Sequence, residues 1–183
     1  EFYPWARAYN NVLTQPNTLI LSITRTKERE SSFIWLLKVN ESKRAFISLK
    51  SNAGSIVNNI EQAKNKLIGV TRDSYSYTSL VENGFTEEKN LYVVSTVDEG
   101  INLLKKGKVD LIYTDPEVMD NHYNDIGKNS NELVNITMIP KAQRDIFIAL
   151  NKQSNKQLLD QIQQATKAVS QSPRYVEIIN ETK

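Results

Sequence analysis

Three short apolar runs of the sequence are each followed by side chains that can hold a charged ligand. Such runs are typical of buried strands, and in open parallel α/β sheets ligands bind beyond the carboxyl ends of the strands. The side chains are Thr24 and Arg29 after residues 19–23, Arg72, Asp73 and Ser74 after residues 67–70, and Asp115 after residues 109–113.

These residue types suit the two charged groups of an α-amino acid. The guanidinium of Arg29 can donate two hydrogen bonds to one carboxylate. A helix is predicted to begin after Ser74, where free backbone N–H groups of Ser74 and Tyr75 would attract the same anion. The carboxylate of Asp115 suits an ammonium group. The pattern therefore predicts a small site that is complementary to an amino acid.

Helix signals alternate with the apolar runs. Strands are predicted over residues 67–70, 91–94 and 109–113, and helices follow them over residues 75–82, from Thr96 onward and after Asp115. Thr96 with Glu99 has the capping-box pattern, and Pro116 after Asp115 suits a first helical position. The alternation predicts a βαβαβα unit with a parallel sheet. A later helix is predicted from Ser154, which forms a capping-box pattern with Gln157.

The order of these segments predicts an α/β fold in which one lobe is inserted into another. Residues 1–50 and 142–183 are predicted to form the first lobe, and residues 54–138 the second. Hinges are predicted near residues 48–53 and 139–142. Two crossings of the chain are what a hinged clamp needs, because they allow rotation about a few residues.

Composition excludes several classes of function. The formal net charge is +2, from 23 basic and 21 acidic residues, which is too balanced for a nucleic-acid-binding protein. The sequence has one histidine and no cysteine, so we expect no metal site, no cofactor and no Ser-His-Asp triad. No apolar run approaches the roughly 20 residues of a membrane span, and no secretory signal opens the sequence.

Three segments together resemble the type 2 periplasmic solute-binding proteins, in particular family 3, which serves polar amino-acid ABC transporters. The first is Ser-Ile-Thr-Arg-Thr-Lys-Glu-Arg-Glu at residues 22–30, which resembles the family's Thr-x-x-Arg signature. The second is Ile-Gly-Val at residues 68–70, followed by Ser74. The third is Gly-Lys-Val-Asp at residues 107–110, which leads to Asp115.

The resemblance implies a two-lobed periplasmic-binding-protein-like II fold, with a parallel-type sheet flanked by helices in each lobe. It implies that one ligand lies in the cleft between the lobes, and that an ABC permease or a membrane sensor is the partner. It also implies a periplasmic location and no enzymatic activity. The ligand contacts that it implies are Arg29, Ser22, Thr24 and Ser74 for a carboxylate, Asp115 for an amine, and Trp5 as a pocket wall. Tyr75 stands where the family often has a small residue.

One departure from the family is large. Its members begin with a strand–helix–strand unit of about 30 residues or more ahead of the Pro-Trp-Ala-Arg segment at residues 4–7. We therefore expect an N-terminally truncated first lobe, which a homodimer or a strand swap between two copies could complete.

Three other functions stay open from the sequence. The chain could be the sensor domain of a signalling protein, or a truncated binding protein that serves assembly. It could also be an enzyme similar to the cyclohexadienyl dehydratases of the same fold, for which Glu177 is the one acid–base candidate.

Overall fold

The main division of the chain falls between Ser42 and Lys43 and again between Ala142 and Gln143. The computed structural model describes residues 1–125, 134–140 and 142–181. The first unit comprises Glu1–Tyr3, Arg7–Ser42 and the chain from Gln143 onward, and the second comprises Pro4–Ala6 and Lys43–Ala142.

The first unit contains a three-stranded sheet and most of three helices. In chain order its elements are α1 (Trp5–Thr14), β1 (Leu19–Thr24), β2 (Phe33–Ser42), β8 (Arg144–Asn151), α6 (Lys156–Ser170) and α7 (Pro173–Glu181). Pro4–Ala6, which include the first residues of α1, group with the second unit. Helix α6 begins one residue later than Ser154 predicts, because the side chain of Asn155 caps it by accepting from the N–H of Leu158.

The sheet of the first unit is antiparallel. Its strand order is β1-β8-β2, with Leu19 opposite Leu150 and Phe33 opposite Asn151. The prediction of a parallel-type sheet in this lobe is therefore wrong for the described strands. Apolar runs identify strands, but the direction of pairing depends on segments that are distant in sequence, since β8 lies more than 100 residues after β2.

The second unit contains a five-stranded mixed sheet. Its elements are β3 (Ala45–Leu49), a short 3₁₀ helix (Ala53–Ser55), α2 (Ile60–Ala63), β4 (Ile68–Thr71), α3 (Tyr75–Glu82), β5 (Leu91–Val94), α4 (Val97–Lys105), β6 (Leu111–Thr114), α5 (Pro116–Asn124) and β7 (Val134–Met138). The strand order is β5-β4-β6-β3-β7. Strand β4 pairs in parallel with β5 and β6, as predicted, whereas β3 pairs antiparallel with β6 and β7.

Strand β3 corrects the predicted lobe boundary. Residues 43–50 were expected in the first lobe, but they belong to the second unit because β3 lies between β6 and β7. The second division, at Ala142, falls at the end of the segment predicted as a hinge. The hinges themselves stay a prediction.

Successive side chains of a strand point to opposite faces of the second sheet, and each face has its own apolar core. Leu111 and Tyr113 of β6 belong to one cluster of buried residues, and Ile112 between them belongs to the other. The first cluster includes Leu80 of α3, and the second includes Ile101 of α4. Helices therefore cover both faces of this sheet.

A buried asparagine joins α1 to the first sheet. Asn151 is 2% exposed, and its side-chain N–H groups donate to the carbonyls of Val12 at 2.7 Å and Leu13 at 3.2 Å. Its side-chain oxygen accepts from the N–H of Gln153 at 2.7 Å. The bonds to Val12 and Leu13 satisfy carbonyls in the last turn of α1, which have no partner within the helix.

We predict that Asn151→Ala lowers the melting temperature by several degrees. The substitution leaves buried polar groups unsatisfied, which costs about 1–3 kcal/mol, and about 1 kcal/mol corresponds to about 2–4 °C in a chain of this size. The matched control is Asn58→Ala, at an exposed position, which should change the melting temperature by about 1 °C or less. Equal melting temperatures for the two variants would contradict the role of Asn151.

Candidate functional site

Polar residues lie at one edge of the second sheet, both where the parallel strands β4 and β6 end and where the antiparallel strand β3 begins. Strands β4 and β6 are parallel neighbours, so the loops that follow them lie at the same edge. Strand β3 runs antiparallel to β6, with Ala45 opposite Thr114, so the start of β3 also lies there. As a result Lys43 and Arg44, which precede β3, lie beside Asp115, which follows β6.

The carboxylate of Asp115 is held by its own unit. Its Oδ1 accepts from the N–H of Glu117 at 3.2 Å, which makes Asp115 the N-cap of α5 as predicted. Its Oδ2 accepts from the N–H of Lys43 at 2.9 Å and lies 3.8 Å from Nη1 of Arg44. Whether Asp115 contacts a ligand amine stays a prediction.

Arg44 is the residue of this edge that the sequence did not indicate. Its guanidinium lies 5.2 Å from the centre of the Tyr75 ring, and Nη1 donates to the carbonyl of Lys43 at 2.6 Å. Arg44 and Tyr75 are both buried, at 8% exposure each. Arg44 thus brings together Tyr75 and Asp115, two of the predicted site residues. In the sequence, Lys43-Arg44 looks like an ordinary solvated pair.

Ser74 is the N-cap of α3 and has less to offer a ligand than predicted. Its Oγ accepts from the N–H of Tyr77 at 3.2 Å and donates to the carbonyl of Thr71 at 2.7 Å. Its backbone N–H donates to the same carbonyl at 3.3 Å, so this group is not the free donor that was expected. The cause is the tight turn after β4, in which Asp73 has a φ of 55°.

Trp5 and Arg72 lie at the turn before α3. The indole Nε1 of Trp5 donates to the carbonyl of Asp73 at 3.0 Å, and the ring is half-buried. Arg72 is exposed, and its backbone N–H extends the pairing with β5 by donating to the carbonyl of Val94 at 3.0 Å. The structure thus joins Trp5 to the 72–74 segment, as a ligand-site role for both would require.

Arg29 is a buried cation of the first unit. It is 7% exposed, its Nη1 donates to the carbonyl of Thr24 at 3.3 Å, and its guanidinium lies 4.8 Å from the centre of the Tyr9 ring. Thr24 is itself buried at 5% exposure. An arginine stacked on a ring and tied to a carbonyl is held in one orientation, which suits recognition of a planar carboxylate.

Two features near Arg29 were not predicted from the sequence: the backbone irregularity at Ser22 and the stacking of Arg29 on Tyr9. Ser22 is exposed and has a φ of 60°, at the point where the β1–β8 register shifts between Ile20 and Ile23. Apolar alternation does not predict such an irregularity. Tyr9 is one aromatic residue of an amphipathic helix, and nothing in its sequence neighbourhood pairs it with Arg29.

An open cavity of about 440 Å³ in the first unit is bordered by a network of ion pairs. Its lining residues are Arg25, Glu41, Gln143, Arg144 and Asp145. Arg25 donates to Glu30, which raises the pKa of the guanidinium and lowers the pKa of the carboxyl. Lys38 bonds to Asp145 and to Glu41, which raises the pKa of its ammonium. These charges are compensated within the unit.

The described residues contain no group of three or more histidine or acidic side chains that could hold a metal ion. Within the same part of the chain, no helix combines the length and the apolar character needed to cross a membrane.

The two units and their sheet topologies define the fold. The chain has the periplasmic-binding-protein-like fold of the substrate-binding proteins of amino-acid ABC transporters. No family model matches its sequence, and no curated protein matches it. The identification is therefore one of fold.

Solved structures of this fold match almost the whole chain. The substrate-binding protein of an amino acid ABC transporter has a TM-score of 0.76 and 16% identity, over 100% of this chain and 78% of that one. ArtJ, the arginine-, lysine-, histidine-binding protein of Geobacillus stearothermophilus, has a TM-score of 0.78 and 22% identity, over 98% and 75%. A histidine kinase sensor domain similar to periplasmic binding proteins has a TM-score of 0.78 and 14% identity, over 100% and 77%.

We predict that Asp115→Ala destabilises the protein and that Asp115→Asn does so far less. Alanine removes the cap of α5 and the acceptor of the Lys43 N–H, at a cost of about 1–2 kcal/mol, or about 2–8 °C in melting temperature. Asparagine keeps an oxygen acceptor at this position. Thermal unfolding followed by circular dichroism measures both variants, and equal losses for alanine and asparagine would refute the capping role.

Proposed function

We propose that the chain is an extracytoplasmic solute-binding protein that captures a small carboxylate ligand of amino-acid size for ABC-type uptake. One observation carries the proposal: Arg29 is buried and oriented by Thr24 and Tyr9 at the end of β1. A guanidinium that is held in one orientation suits a bidentate contact with a ligand carboxylate.

The proposed ligand contacts lie in both units. In the first unit they are Arg29, Thr24 and Ser22, which would hold the carboxylate. In the second unit they are the residues around the start of α3, namely Trp5, Arg72, Ser74 and Tyr75, together with the edge at Asp115.

The fold supports an ABC permease as the partner and a periplasmic location. It equally supports sensing, since one of the matching structures is the sensor domain of a histidine kinase. Dimerisation or a strand swap stays a prediction. It is supported by the open edge of β1, which pairs only with β8 among the described strands and exposes Leu21 at 65%.

The matching structures include amino-acid-binding proteins, and the surroundings of Glu177 do not favour an enzymatic role for it. Glu177, the acid–base candidate, is exposed and forms an ion pair with Arg174 at 2.8 Å. Both groups lie on the surface of α7, where water screens their charges. A surface carboxylate of this kind lacks the burial that tunes a catalytic acid.

A thermal-shift screen against the amino acids and small carboxylic acids tests the proposal. A ligand at 100 times its dissociation constant adds about 2.7 kcal/mol to the stability of the native state, which corresponds to about 5–10 °C. If the folded protein responds to none of these compounds, the proposed function is wrong.

We predict that Arg29→Gln weakens the binding of any ligand found in that screen by about 10–150-fold. The estimate follows from the loss of about 1.5–3 kcal/mol of charge-assisted hydrogen bonding. Isothermal titration calorimetry measures the change. Arg174→Gln is the control, because the side chain of Arg174 is 72% exposed and pairs with the surface carboxylate of Glu177. An unchanged affinity in Arg29→Gln would place the ligand elsewhere.

A further inference from the structure

Helices α4 and α5 of the second unit bring a carboxylate, an imidazole and an amine into one row. Nζ of Lys105, the last residue of α4, lies 2.9 Å from Nε2 of His122 on α5. Nδ1 of the same imidazole lies 3.4 Å from Oδ1 of Asp98 on α4. This is the order of groups in which enzymes activate a nucleophile, with the amine of Lys105 in the place of the nucleophile.

The two contacts of His122 agree on one tautomer of its ring. An ammonium group carries three N–H donors and no acceptor, so Nε2 is the acceptor in the contact with Lys105. In a neutral imidazole the other nitrogen then carries the proton, and this nitrogen faces the carboxylate of Asp98. The lone pair of Nε2 is therefore directed at Lys105, as a proton acceptor requires.

Tyr123 holds the lysine and the histidine together. Its side chain belongs to one of the two core clusters and is 3% exposed. Nζ of Lys105 lies 5.0 Å from the centre of the Tyr123 ring, within the range of a cation–π contact. The His122 ring meets the same ring edge to face, with 5.4 Å between the ring centres and 88° between the ring planes. Both groups are therefore positioned against a buried surface.

The amine at the end of the row is accessible to a reagent. Lys105 is exposed, and the side chain of His122 beside it is 21% exposed. The side chain of Asp98 is 78% exposed, so water screens its charge and its contribution is small. His122 is therefore the group on which the chemistry of Lys105 depends.

Imine formation with an aldehyde uses a proton acceptor that afterwards becomes a proton donor. The uncharged amine attacks the carbonyl carbon, and a bond forms between Nζ and that carbon. One N–H proton passes through Nε2 of His122 to the carbonyl oxygen, which becomes a hydroxyl group. The second N–H proton follows the same route, the oxygen leaves as water, and a C=N bond remains. The nitrogen loses two protons and the oxygen gains both, so no further reactant is needed.

We propose that Lys105 is a modification site for small aldehydes, at which His122 takes up the protons of the amine and delivers them to the carbonyl oxygen. The site consists of groups of α4 and α5 alone and does not depend on the ligand proposed for Arg29. His122 distinguishes Lys105 from a solvated lysine such as Lys106, which follows it in the chain and is also exposed.

Timed labelling of the full chain with glycolaldehyde tests the proposal, with Lys106 as the internal control. Borohydride stops each sample and converts the imines to stable secondary amines, which peptide mass spectrometry assigns to individual lysines. We expect an initial rate at Lys105 at least about fivefold above that at Lys106, well below the full effect of general acid–base catalysis in enzymes. A smaller ratio of the two rates overturns the proposal.

His122→Gln separates proton transfer from the contact alone. Glutamine offers an oxygen that can accept from Nζ, but it does not take up a proton near neutral pH. The ratio of the rates at Lys105 and Lys106 should fall at least about threefold, while the rate at Lys106 stays the same. Circular dichroism reports whether the variant folds. A smaller fall in the folded variant overturns the role of His122.

Asp98→Asn gives a second test on an exposed side chain if His122→Gln fails to fold. Asparagine keeps an oxygen acceptor for Nδ1 but carries no charge to stabilise the imidazolium. We expect the ratio of the two rates to fall about twofold, as the loss of an exposed ion pair allows. A ratio that does not fall overturns the proposed row of groups.

Discussion

The antiparallel pairing of β3 with β6 is the constraint on which the polar edge of the second unit depends. Only two residues, Lys43 and Arg44, separate the end of β2 at Ser42 from the start of β3 at Ala45. Ala45 lies opposite both Thr114 and Met138. Lys43 and Arg44, which directly precede Ala45, are therefore fixed at the edge where Asp115 follows β6. The backbone of Arg44 is also held by the chain after β7, because the carbonyl of Arg44 accepts from the N–H of Ile139 at 2.9 Å. A short connection and two strand pairings thus place a cation beside Asp115.

Each unit holds one buried arginine in a similar way. Arg29 is stacked on Tyr9 and bonded to a carbonyl of its own chain, and Arg44 is stacked on Tyr75 and bonded to another. An aromatic face and a carbonyl hold a guanidinium in one orientation. Arg44 also lies beside the carboxylate of Asp115.

The sequence was sufficient for elements whose signals are local. Ser74, Thr96 and Asp115 cap α3, α4 and α5 as predicted, and the parallel pairing of β4 with its neighbours follows from the alternation of strands and helices. The predictions that were wrong concern pairings between distant segments, namely the antiparallel first sheet and the transfer of β3 to the second unit. Arg44 was missed for the same reason. A basic residue before a strand has no distinguishing signal until the partner of that strand is known.

Hydrogen–deuterium exchange of the full chain, with and without the tightest-binding acid of the thermal-shift screen, tests the central claim most directly. The claim is that the guanidinium of Arg29 holds the carboxylate of the ligand. It predicts slower exchange on ligand addition around residues 24–29. Unchanged exchange of this segment, with protection elsewhere in the chain, would contradict the claim.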